Sequence, residues 1–259
     1  LLAKVYLTRR EWDKAIAGSR EVMTGPYDLF ADFKDAFDAA TKNGKEHLFS
    51  VQCKSFVNTQ GNRLASSATP VGIPGISAAG TDEPHPDAYY LYDPADKRRN
   101  VTFFTSIVSP NNGQEYTFRP HFFKYFDPAV IANPTESARN IPVMRFSEVL
   151  LIHAEAINEK NGPVEEAYAS LNRVRNRAGL ADLTPGLNQS QFRDSVYFER
   201  RLELMFESQR WFDLVRTRRM IDVLHAIGKK NAQEKHYLLP VPQREIDINP
   251  KLLPNNPGW

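Results

Sequence analysis

The chain has 259 residues, with 33 Lys and Arg against 31 Asp and Glu, for a formal net charge of +2. A balance this close to neutral carries no global signature of a nucleic-acid binder. The apolar content of 41% and charged content of 25% suit a chain that buries a substantial core. The single cysteine, Cys53, excludes an internal disulfide and a thiolate metal site.

No stretch approaches the roughly 18 apolar residues of a transmembrane helix. The chain lacks an initiator methionine and begins inside a helical pattern, so it reads as a fragment of a longer protein. Residues 1–24 predict a helical hairpin. Leu2, Val5 and Tyr6 line one helix, residues 9–11 turn, and Trp12, Ala15, Ile16 and Val22 line the next. Gly25-Pro26 ends the unit, and Tyr27, Leu29, Phe30, Phe33 and Phe37 follow as aromatic anchors. His47 to Cys53 (HLFSVQC) reads as a strand, with Cys53 a buried structural thiol.

From Ser55 to Glu83 the residues are small, polar, Gly and Pro, with no helical period. A structureless loop of this length inside a domain is usually functional or disordered. Phe118 to Phe126 predicts another strand, and Asp127 to Asn140 a loop.

Arg145 to Leu180 carries the clearest pattern. Phe146, Val149, Leu150, His153 and Ile157 share one helical face, and Leu151, Ile152 and Ala154 make the other faces apolar too. Asn161-Gly162 breaks the helix and Pro163 restarts one, with Glu165 and Glu166 at the positive end of its dipole. Val164, Ala167, Tyr168, Leu171, Val174 and Ala178 form its stripe, and Gly179 is a left-handed cap. Small residues recur at matching places in both hairpins, Ala3 and Ala15 in the first, Ala154 and Ala167 in the second. The grammar is similar to tetratricopeptide repeats. A long helix is then predicted from about Gln191, capped by Asn188 or Ser190 and running through FRDSVYFERRLELMFESQRWFDLVRTRRM. A short helix at about 221–227 and a proline-punctuated tail, packed back on the body, complete the chain.

Glu199, Glu203 and Glu207 lie four apart, among Arg200, Arg201, Arg210, Asp213 and Arg216. A di-iron bundle would need Glu-x-x-His pairs, and there are none; an ion-pair ladder fixing helix register is the expectation. His153-Ala154-Glu155 lacks the cysteine pair of a zinc deaminase, so His153 reads as a hydrogen-bonded core residue. The basic runs between Arg216 and Asn231 come without an aromatic platform and read as a solvated face. No metal or cofactor is expected. The loop region is different. Phe56, Asn58, Gln60, Asn62, Arg63, Asp82, His85, Tyr89 and Tyr90 combine aromatic faces with amide, carboxylate and guanidinium groups. Aromatic faces suit sugar C–H surfaces, and the polar groups suit hydroxyls.

Several ordered motifs resemble the SusD/RagB family. They are REWDKAIAGSREVMTGPYDLF, YDPADKRR, FKYFDP, RFSEVLLIHAEAINE, LNRVRNRAG, ERRLELMFESQRWFDLVR, YLLPVPQREIDINP and NNPGW. One departure is Ser208, where the family usually has glycine; it is expected to straighten or stiffen the helix. The resemblance implies a mainly α fold of tetratricopeptide-like hairpins with an irregular, loop-rich insertion and a few short strands. It implies a single domain fragment, divided as helical hairpin and follow-on (1–54), loop-rich ligand face (55–142), helical scaffold (143–228) and extended tail (229–259). It also implies a non-enzymatic outer-membrane lipoprotein that captures glycans or other nutrients and delivers them to a TonB-dependent SusC-like transporter. The lipid anchor would lie in an N-terminal part absent from this chain. The family defines no universal ligand residues, so the expected site is the departing loop: Phe56, Asn58, Gln60, Asn62, Arg63 and Tyr89. Two other readings remain open. One is a tetratricopeptide-like scaffold binding a peptide or protein. The other is a glycan-active enzyme, which would need two carboxylates facing each other about 5–10 Å apart, with Asp82, Glu83 and Asp87 the loop acids to consider.

Overall fold

The computed structural model describes residues 1–57 and 59–259. The first hairpin forms as its apolar spacing dictates. Leu2–Thr8 (α1) and Trp12–Met23 (α2) flank a turn in which Arg10 takes a left-handed φ of 59°. The helices cross closely because the residues there are small: a Cβ on Gly18 would lie 3.4 Å from that of Ala3. The following elements are His47–Val51 (β1), Leu64–Ala68 (α3), Arg99–Thr102 (α4), Phe103–Val108 (β2) and Glu115–Phe122 (β3). Then come Ile141–Arg145 (β4), Phe146–Asn161 (α5), Glu165–Arg177 (α6) and Gln189–Glu203 (α7). β1 pairs antiparallel with β4, and β2 with β3. The fold is mainly helical with a few short strands. The strand expected over 118–126 begins and ends earlier, at Glu115 and Phe122.

Helix α5 is the axis of the core. Every residue from Phe146 to Asn158 is buried, because α2, α6 and α7 each cover part of it. That is why its apolar residues run all round the helix rather than along one stripe. Ala154, Ala167 and Ala15 are fully buried at these crossings. Helix α6 starts two residues after Pro163, with Val164 in the N-cap position. It ends in the Schellman pattern: Leu180 N–H donates to Arg175 O at 3.0 Å, Gly179 N–H to Asn176 O at 2.9 Å, and Gly179 has φ +82°. Asn188 caps α7 in a reciprocal capping box with Gln191. His153 is the core histidine its position predicts. It lies 2.8 Å from Ser170 Oγ and 3.3 Å from Glu166 Oε1, and burial pulls its pKa below the ordinary value against the pull of Glu166.

The long helix predicted beyond Gln191 is broken. α7 stops at Glu203, and Phe206 and Ser208 take left-handed φ values of 62° and 58°. Phe206 stacks on Phe122 at 4.2 Å between ring centroids, and Glu207 turns inward. Ser208 therefore does not stiffen a helix; it sits in the left-handed geometry that glycine adopts without cost. The chain divides here into two compact units, Leu1–Glu207 and Ser208–Trp259, rather than at the scaffold–tail boundary expected near 228. The second unit holds Arg210–Arg216 (α8) and Met220–Ala226 (α9), which pack with Tyr237 around Leu214 and Met220, and Gln243–Ile248 (α10). Its tail folds back within the unit. Asn255 bonds Val241 in both directions, and Trp259 Nε1–H donates to Leu238 O at 2.9 Å.

The three glutamates are in an ion-pair network, but not in a ladder along one helix. Their partners come from distant segments. Arg98 lies between Asp96 at 2.7 Å, Glu199 at 2.6 Å and Glu203 at 3.1 Å. Arg145 reaches Glu46 at 2.5 Å, Glu203 at 2.9 Å and Glu207 at 2.8 Å. Arg177 bridges Glu46 and Glu203, and Lys124 meets Glu207 at 2.7 Å. Lys124 and Arg145 also donate to the Glu203 carbonyl, each at 3.1 Å, which satisfies an orphan acceptor at the end of α7. Burial alone would raise the Glu203 and Glu207 carboxyls. The surrounding cations overcome it, led by Arg177 at Glu203 and Arg145 at Glu207, and hold both below the ordinary value. Burial pushes the Lys124 ammonium down to about 8, opposed by Glu207.

Two outcomes follow for stability. Glu203→Gln leaves buried guanidinium groups short of charge and is expected to cost about 3–5 kcal/mol in denaturant unfolding. As the pH falls, the unfolded chain takes up protons at these carboxyls before the folded chain does. Their contribution is thus complete above the ordinary value of 4.5 and is lost as pH falls through the lower folded values. Thermal melts from pH 7 to 3 should show a steeper acid decline for the native chain than for Glu203→Gln. Separately, Ser208→Gly is expected to stabilise the chain by about 0.5–1 kcal/mol, because it removes left-handed strain. A melting midpoint unchanged or lowered in Ser208→Gly would contradict that account.

Candidate functional site

Residues 54–57 and 59–63 are held to a second segment far along the chain. Among them, Lys54 N–H donates to Gln60 O at 2.9 Å and Gln60 N–H to Val57 O at 3.0 Å. Across to the second segment, Phe56 N–H donates to Glu136 Oε2 at 2.7 Å and Asn62 N–H to Ser137 O at 2.8 Å. Gly61 lies against this segment so closely that a Cβ there would sit 2.0 Å from Thr135 O. No other residue type fits that approach. Pro134–Glu136 forms one 3-10 turn, which Ser137 anchors by donating from Oγ to Tyr125 O at 2.8 Å.

α3 follows at once, and residues 79–82 run back along it. Gly80 N–H donates to Ser66 O at 3.2 Å, Asp82 N–H to Ser67 O at 2.8 Å, and Ser67 Oγ–H to Asp82 Oδ2 at 2.6 Å. The long loop is thus neither structureless nor disordered in this part. Its small residues allow chain to lie on chain.

Two adjoining hollows result. One, of about 390 Å³, is lined by Thr59, Gly61, Arg63, Ser66, Ser67, Ala79, Thr135 and Glu136. The other, of about 570 Å³, includes Gln52, Cys53, Gln60 and Asp82, and shares Thr59, Gly61, Arg63 and Ser67 with the first. Arg63 reaches both and is exposed, and its guanidinium has no hydrogen-bond or ionic partner among the described residues. Burial raises the pKa of Cys53, against a nearby Lys42, so the thiol stays protonated. Among the described residues no group of three His, Cys, Asp or Glu side chains is placed to hold a metal ion.

The expected site residues divide. Gln60 and Arg63 line the hollows, while Phe56, on the same segment, lines neither. Phe56 is 80% exposed and takes a left-handed φ of 57°. Asn62 is buried, and its amide serves the frame: Nδ2 donates to Arg139 O at 2.9 Å and Oδ1 accepts from Leu64 N–H at 3.0 Å. Tyr89 belongs to another cluster. It is half-buried against Phe103 and Tyr90, with Arg99 over its ring at 5.2 Å. Asn58 lies outside the described residues. Thr59, Ser67, Thr135 and Glu136 were not among the expected residues. The two from the 134–137 turn carry no periodic signal, and only the approach at Gly61 brings them in. The loop acids are each engaged: Asp82 by Ser67, Glu83 by Arg119, and Asp87 near His85 at 3.6 Å.

The SusD family model matches residues 53–259, and the chain belongs to that family. It is 34% identical to SusD-like protein P2 of Formosa agariphila, over the whole of this chain and 58% of that protein. Among solved structures it resembles a SusD superfamily protein from Parabacteroides distasonis, at 26% identity and a TM-score of 0.86, covering 100% of this chain and 62% of that one. It also resembles surface glycan-binding protein A from Bacteroides thetaiotaomicron in complex with laminarihexaose. That likeness has 24% identity, a TM-score of 0.78, and coverage of 98% and 62%. The chain therefore spans about three fifths of the length of each of these proteins.

The closeness at Gly61 gives a direct test of the clamp. Gly61→Ala should separate the turn from the 134–137 segment. Amide exchange at Asn62 should accelerate at least tenfold, while the amides of α5 stay protected.

Proposed function

We propose that the whole protein captures glycan at the cell surface, without cleaving it, and delivers it to a TonB-dependent outer-membrane transporter. In this reading it is an outer-membrane lipoprotein, and the hollows around Arg63 supply part of the ligand face. The observation that carries the reading is an exposed aromatic ring, Phe56, and an exposed guanidinium, Arg63, with no partner among the described residues, both on a segment whose backbone is bonded to Glu136 from behind. An exposed ring face suits the C–H surface of a pyranose. Arg63, Gln60 and Thr59 offer donors along the two hollows, as hydroxyl-rich ligands require. Membership of the SusD family, and a structural neighbour in complex with laminarihexaose, support the same reading. Among the described residues no helix is long and apolar enough to cross a membrane.

Calorimetry of the full-length protein against a glycan panel that includes laminarihexaose tests this. A hydrogen bond from a charged donor is worth about 1.5–3 kcal/mol. Arg63→Ala should therefore weaken the bound glycan about tenfold or more, and Phe56→Ala should also weaken it. A glycan that binds both variants as tightly as the native protein would sink the assignment of this surface. Persistent absence of any glycan binding would sink the reading itself.

A further inference from the structure

The C-terminal unit holds a second cavity, unrelated to the 54–63 turn. It measures about 610 Å³, within the range of small-molecule sites. Its apolar lining is Met220, Leu224 and Leu239, with the indoles of Trp211 and Trp259. Each indole is nearly half exposed. The Trp259 ring is held in place, since its Nε1–H donates to Lys235 O and Leu238 O.

The rim has one electrostatic character. Lys229, Lys230, Asn231 and His236 line it, and no Asp or Glu does. His236 Nδ1 accepts from Gln233 N–H at 2.8 Å, which places the proton of the neutral ring on Nε2 and makes that nitrogen a donor. The rim is also built. Gly228 turns the chain at φ +84°, Lys229 N–H donates to Leu224 O at 2.8 Å, and the His225 ring meets Ala232 O at 3.0 Å. An apolar lining with a rim of cations and donors suits neither a neutral sugar, which needs acceptors as well, nor a cation.

We propose that this cavity binds a compact organic anion, an apolar ring or acyl body carrying one anionic headgroup. The body lies between the indoles and the headgroup meets Lys229, Lys230 and the His236 donor. The site is separate from the glycan surface and does not depend on it.

The test uses the full-length protein and the aromatic sulfonate 8-anilinonaphthalene-1-sulfonate, with neutral N-phenyl-1-naphthylamine as control. The sulfonate should bind saturably at one site per chain, and the neutral probe at least tenfold more weakly. The exposed charge reversals Lys229→Glu and Lys230→Glu together should weaken the sulfonate at least tenfold, with the melting midpoint unchanged. Energy transfer from tryptophan to the bound probe should fall in Trp211→Phe, which removes one of the two indoles lining the cavity. Equal affinity for the two probes, no saturable binding, or binding that ignores the lysine reversals would overturn the proposal. So would displacement of the probe by laminarihexaose.

Discussion

Arg145 is the constraint on which the first unit depends. It ends β4, begins α5, and is buried beside Glu46, Glu203 and Glu207. Phe33 and Phe37 pack over its guanidinium, with ring centroids at 5.6 and 5.2 Å. Removing such charges from water costs several kcal/mol per ion, and only a full set of partners offsets it. Here Arg98, Lys124, Arg145, Arg175 and Arg177 face Asp96, Glu46, Glu199, Glu203 and Glu207, so the cluster closes without net charge. Because the partners arrive from separate segments, any packing that separates them leaves a charge buried alone. The cluster acts on uniqueness of fold as much as on stability.

The same cluster connects by hydrogen bonds to the candidate surface. Lys124 pairs with Glu207, and its own carbonyl accepts from Arg139 Nη1 at 3.2 Å. The Arg139 carbonyl in turn accepts from the Asn62 amide. Tyr125, next along, carries Ser137 on its carbonyl. A path of hydrogen bonds thus runs from the end of α7 to the turn that presents Arg63.

The helical frame was legible in the sequence because its causes are local. Apolar spacing, Gly162, Gly179 and the Asn188 cap each act within one or two turns. The break after Glu203 was not legible. The run through Met220 keeps helical spacing, and what ends α7 is tertiary: Phe206 stacking on Phe122 and Glu207 turning to Arg145 and Lys124. The geometry of the candidate surface was legible only in part. Gln60 and Arg63 line the hollows, but composition cannot tell a solvent-facing amide from a frame amide. Asn62 looks like its neighbours and is spent on Arg139 and Leu64. Glu136, 80 residues beyond the backbone it holds, has no marker in the sequence at all.

The close approach of Gly61 to Thr135 also bears on how binding faces could be exchanged between relatives. The portable part is not the loop as read along the chain. It is two segments, 54–63 and 133–139, whose fit is set by one missing Cβ and a few backbone bonds. A graft that moves the first without the second would carry the ring and the guanidinium but lose the surface that orients them. Diversification confined to the residues between the clamping contacts leaves that fit intact, so new ligand chemistry can be explored on a fixed seat.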